Sequence, residues 1–168
     1  MTSFEPRKYG PTFAPLLETD RCRPLEDGAG PEEIRNQLAA LTIAEAFAHT
    51  QIVDPSMARC CLSGLWLLYD FLDESHTISQ GIATPAGSFW HGIMHRREGD
   101  YSNAKYWFRK VGEHPVLSQL DTDWDPFDFV DACQSALGSN EQEETHCRQL
   151  QQREWELLFD DCYQQATN

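Results

Sequence analysis

The chain has 168 residues, 40% of them hydrophobic and 24% charged, and its net charge is −14. That length is enough for one domain whose core needs no covalent staples, and the composition is that of a globular rather than a disordered protein. The charge argues against nonspecific nucleic-acid binding and against docking on an anionic membrane, since both require a positive field facing phosphate. The six cysteines include the adjacent pair Cys60-Cys61 and show no CxxC or zinc-type spacing, so they read as buried thiols. No basic-then-apolar leader opens the chain and no apolar run approaches about 18 residues, which makes the cytoplasm the expected location.

In chain order, residues 1–30 are rich in proline and glycine (Pro6, Pro11, Pro15, Pro24, Gly28, Gly30) and predict an extended N-terminal arm. Phe4, Tyr9, Phe13, Leu16 and Leu17 would dock it onto a helical domain spanning 31–168. Four junctions, Gly30-Pro31, Asp54-Pro55, Thr84-Pro85 and Asp125-Pro126, mark helix starts, because proline suits the first helical position and the residue before it can cap free amides. After Pro31, Ile34, Leu38, Leu41, Ala44, Phe47 and Ala48 recur at helical spacing. From Pro55 through Leu72 the apolar positions cover most of the helix surface, the mark of a central, enclosed helix. A third helix runs from Pro85 to about Glu98, and a fourth from about Tyr101 to Val111 with Gly112 as its stop. A fifth spans Asp125 to Gly138, and a long last one runs from about Asn140 to Gln165. Strand alternation is missing, so the expected fold is an all-α, single-domain bundle of about six helices with an extended N-terminal arm.

Aromatics, histidines and basic side chains crowd together between Phe89 and Pro115 more than anywhere else in the chain. Gly99-Asp100-Tyr101-Ser102-Asn103-Ala104-Lys105-Tyr106-Trp107-Phe108 followed by Pro115 resembles the second half of a tetratricopeptide repeat hairpin. The segments 70–76, 89–115 and 152–159 together resemble an uncharacterised family of bacterial all-helical proteins. That resemblance implies a helical fold and no particular activity.

On the third helix His91 and His95 are one turn apart and Glu98 follows three residues later, so all three share one face. Two imidazoles and a carboxylate so spaced can hold a divalent transition metal with an open position, or act as a base with its orienting partner. His76, next to the acidic cluster Asp73-Glu74, is the third candidate catalytic histidine beside His91 and His95. A metal site would need His76, His91 and His95 to converge within about 5 Å. Arg97 projects into the apolar arc beside Trp90, Ile93 and Met94, where an unpaired charge is costly, so it needs a carboxylate partner or an anionic ligand. Asp70, Asp73 and Glu74, placed on the polar strip of the central helix, are the expected partners. No GxSxG, GxxxxGK[ST] or GxGxxG motif occurs.

Two readings follow. In one, the protein is a helical binding domain in which Arg96 and Arg97, with Trp90, Asp73 and Glu74, serve a small anionic ligand or an acidic partner segment. In the other it is a metal-dependent hydrolase or lyase, with His91, His95 and a carboxylate, Glu98 or else Asp73 or Glu74 across the helix pair, as metal ligands and His76 as base. A structural subunit that buries its aromatics in a homo-oligomer is a third alternative.

Overall fold

The computed structural model describes residues 4–121 and 123–168, and every regular element among them is helical. A short 3-10 turn, Pro6–Tyr9, leads into α1 (Gly10–Leu17), followed by α2 (Glu32–Ala40), α3 (Ile43–Ala46) and α4 (Pro55–Leu68). Then come α5 (Leu72–Ser79), α6 (Pro85–Glu98), α7 (Tyr101–Phe108), α8 (Pro115–Leu120), α9 (Pro126–Ala136) and α10 (Glu141–Thr167).

Local chemistry explains most of the helix ends. The Asp54 carboxylate accepts from the Ser56 and Met57 amides at 2.8 and 3.2 Å, Thr84 Oγ1 from the Gly87 amide at 3.1 Å, and Asp125 from the Phe127 amide at 2.7 Å. Each satisfies donors that the first helical turn leaves free. Gly99, at φ +84°, ends α6 in the left-handed conformation where a side chain would be strained. At the first junction, by contrast, Pro31 is itself the cap residue and α2 starts at Glu32.

Ten α-helices occur among the described residues, against about six expected: two expected long helices are each divided, and α1 and α8 lie where no helix was expected. Leu41 turns extended, and Thr42 and Glu45 form a reciprocal capping box that starts α3 afresh. The central helix stops at Leu68, and Asp70, a non-glycine residue at φ +64°, reverses the chain into α5. Asp70 therefore sits in a turn and not on the helical strip expected for it. Side-chain bonds outweigh the local cost of that conformation.

The expected arm is also corrected. Residues 1–3 lie outside the described residues, and Pro6–Leu17 is helical rather than extended. Its Tyr9, Phe13, Leu16 and Leu17 are buried within the main core. Tyr9 Oη donates to Asp160 at 2.8 Å, and Phe13 packs edge-on against Phe47 and Phe159. Only the stretch between α1 and α2 is irregular throughout, and its carbonyls are met by side chains from the helices.

α4 packs against α5, α6 and α10, α6 against α5 and α7, and α7 against α9. At the centre Gly64 of α4 faces the Trp90 ring so closely that an added Cβ would lie 2.7 Å from it, and Trp155 of α10 donates to the Gly64 carbonyl at 2.9 Å. Such overpacking costs on the order of 1–3 kcal/mol, so glycine here is a condition for three helices meeting. Five of the six cysteines are buried thiols. No helix is long and apolar enough to cross a membrane, among the described residues.

Candidate metal centre

Three consecutive residues of α6 point to three different surroundings, since successive positions turn by about 100°. His95 faces α5 and α7, Arg96 faces α9 and α10, and Arg97 faces α4 and the irregular stretch after α1. All three are buried.

The guanidinium of Arg97 is filled by internal partners. Nε donates to the Pro24 carbonyl at 3.1 Å, Nη1 to Leu67 at 2.8 Å, and Nη2 to Glu26 at 3.3 Å and to Asp70 at 2.5 Å. Arg23 pairs with the same Asp70 carboxylate. Burial pushes the Asp70 carboxyl up, but hydrogen bonds from Arg23 and Arg97 and their charges outweigh it, leaving the group below its ordinary value. This knot locks the reversal between α4 and α5. Arg96 is paired with Glu154, whose Oε2 is 2.5 Å from Nη2, contacts Gln151, and lies over the Phe129 ring at 4.5 Å.

Trp90 is fully buried against Trp155 in the core. Asp73 is exposed and Glu74 pairs with Arg35, both at the rim of an open hollow with Asp27, Gly28 and Gly30. Arg96, Arg97, Trp90, Asp73 and Glu74 are thus dispersed over separate environments and share no one pocket. His114 caps α8 and faces Asp161 at 3.6 Å, apart from the other histidines.

What the fold does bring together is His76, His91 and His95. Ring centres lie 4.6 Å apart for His76–His91 and for His91–His95, and 5.4 Å apart for His76–His95. One nitrogen from each falls within 4.8 Å of the others. Tetrahedral ligation at bonds of about 2.0–2.1 Å places ligand nitrogens roughly 3.4 Å apart, closer than the 4.8 Å limit within which these lie. His76 arrives from α5 because the Asp70 turn folds that helix back onto α6, whereas His91 and His95 are there by helical repeat alone.

The hydrogen bonds around the cluster fix which nitrogens are free. Ser79 Oγ, which reaches the His76 carbonyl at 3.4 Å, is 2.8 Å from His91 Nδ1. The ring is thus engaged through Nδ1, and Nε2 is the nitrogen of His91 without a hydrogen-bond partner among the described residues. His95 Nδ1 lies 2.7 Å from Glu98 Oε1, so its proton sits there, and the Asn103 amide 3.1 Å from Nε2 marks the lone-pair direction. A carboxylate or hydroxyl on the second ring nitrogen is the usual arrangement around metal-binding imidazoles. Neither ring nitrogen of half-buried His76 has a hydrogen-bond partner among the described residues. Burial, with the charges of His95, His76 and Lys110, pulls His91 down to about 3, so its imidazole is neutral near pH 7.

Glu98, expected as a ligand beside His91 and His95, lies instead against His95 Nδ1, and His76 completes the histidine group. Glu98 also shares a second ligand-spaced group with His95 and Asp100 at the exposed end of α6. Sequence reasoning did not assign Ser79, Asn103 or Asp100 to a site. Ser79 carried a faint signal in its i,i+3 spacing from His76, and Asn103 carried none because its partner is set by the turn at Gly99. Trp107 covers the cluster, its ring 4.0 Å from that of His91.

No protein-family model, no curated protein and no solved structure matches the chain.

Proposed function

We propose that the protein is a metal-dependent enzyme of the hydrolase or lyase class, with a divalent first-row transition metal held by His76, His91 and His95. The observation that carries this reading is the convergence of three imidazoles, two of them oriented through Nδ1 by Ser79 and Glu98, with Nε2 of His91 unpartnered among the described residues and Nε2 of His95 met only by the Asn103 amide, which a metal would displace. Three neutral nitrogen ligands and an open position suit zinc, which lowers the pKa of a bound water to about 7 and so provides a nucleophile or base at neutral pH. Glu98 would hold the His95 tautomer and raise its basicity. Asn103 and Trp107 contact His95 and His91, and His76 is the partly exposed member of the group.

The reading of Arg96 and Arg97 as receptors for an anionic ligand has less support, since Arg97 donates only to internal acceptors and Arg96 is neutralised by Glu154, with its Nε alone left without a partner. Elemental analysis of the full chain, purified after supplementation with Zn, Mn, Fe or Ni, tests the metal reading. One metal per chain is expected, lost on alanine substitution of His91. Absence of stoichiometric metal under every supplement rejects it.

A further inference from the structure

Lys110, in the turn that follows α7, is held beside the histidine cluster in an unusual way. Its ammonium lies 4.1 Å from the centre of the Trp107 ring and 4.4 Å from that of Tyr106, which is 48% exposed. Trp107 in turn rests on His91 at 4.0 Å, so the charge is no farther from that imidazole than two ring contacts in series. No carboxylate lies within ion-pairing distance of Lys110 among the described residues, although the chain holds 27 acidic residues. Lys105, on α7 itself, shows the ordinary alternative, bonded to Asp131 at 2.6 Å. Two aromatic faces thus fix a lysine cation at the rim and leave its hydrogens free for an incoming acceptor.

We infer that the substrate of the proposed metal centre carries a small oxyanion, a carboxylate or a phosphate, which Lys110 receives while Trp107 forms the wall between it and His91. This inference rests on the metal reading of His76, His91 and His95. The net charge of the chain is −14, so a local ammonium favours the approach of an anion to this rim. Lys110 would set specificity and position the substrate without touching the metal.

The test uses the full chain loaded with cobalt(II), whose visible bands report on coordination, titrated with inorganic phosphate and, separately, acetate at constant ionic strength. Saturable spectral changes are expected with at least one of them. Lys110→Met should weaken that binding about tenfold, the scale of one lost charge-assisted contact, with cobalt stoichiometry and the starting spectrum unchanged. Lys110→Arg should retain most of the affinity. Arg109→Met, which removes the same charge one residue away, should leave it unaltered. Equal affinity in Lys110→Met and the parent, equal weakening by Arg109→Met, or no response to either anion overturns the inference while leaving the metal reading in place. Failure to take up cobalt, or any of the supplemented metals, overturns both.

Discussion

His95 and Arg96 are neighbours in the chain and equally withdrawn from water, but their surroundings differ in one respect that separates structure from function. Arg96 and Glu154 neutralise each other, and the aromatic faces of Phe129 and Phe108 enclose the guanidinium. Arg97 is likewise committed, to one carboxylate and three carbonyls. In the histidine cluster His91 and His95 each spend Nδ1 on Ser79 or Glu98, the Asn103 amide meets His95 Nε2, and one nitrogen of each of the three rings lies within 4.8 Å of the others. A buried polar group with all its partners inside the protein holds the fold together. One that converges with two others of the same kind at ligand spacing is poised for something that comes from outside.

Substitutions should pull these two regions apart. The largest stability effect is expected from Arg96→Met, which leaves Glu154 buried and unpaired, and should cost about 3–5 kcal/mol, read as a lowered denaturant midpoint. Replacing both partners, Arg96→Met with Glu154→Leu, should recover much of the loss. If the single variant is as stable as the parent, the ion pair is not a structural element. His91→Ala should behave in the opposite manner, abolishing stoichiometric metal in elemental analysis while thermal unfolding of the metal-free chain shifts by less than in Arg96→Met. A variant that keeps its metal would remove His91 from the centre.

Smaller effects sharpen the contrast. Glu98→Gln retains shape but weakens the carboxylate's pull on His95, and should reduce metal affinity about 10–100-fold in a competition titration with a chelator, with stability nearly unchanged. Affinity equal to the parent's would make Glu98 a surface partner only. The least effect is expected in the acid limb of the stability curve. Because Asp70 ionises below its ordinary value when folded, its contribution is present above the unfolded carboxyl pKa of about 3.9 and is lost as pH falls toward the folded one. Asp70→Asn, a residue that tolerates φ +64°, removes that titration. Urea midpoints measured from pH 5 to pH 3 should therefore fall less steeply in the variant than in the parent, and identical slopes would rule out Asp70 as a source of acid lability.

α6 was the most legible element. Thr84-Pro85 and Gly99 bound it, and the pairing of His91 with His95 on one face follows from helical periodicity without reference to any other part of the chain. The addition of His76 could not be read in the same way, because it depends on a reversal at a non-glycine residue that only the bonds from Arg23 and Arg97 make tolerable. For Arg97 the sequence required a partner and pointed to the right cluster, of which Asp70 is the member used. For Arg96 nothing local signalled Glu154, which lies 58 residues further on.

The sequence by itself determined an all-helical chain, its principal helix starts and stops, a histidine pair on one helical face, and the need of a buried arginine for a counter-charge. Caps, glycine stops and the 3.6-residue repeat act over a few residues, so they can be read from neighbours. Only the tertiary structure decided that the N-terminal segment is part of the core, that the arginines are paired with internal carboxylates, and that a third imidazole joins the pair. Those outcomes depend on which surfaces exclude water together, and that is a property of distant segments meeting.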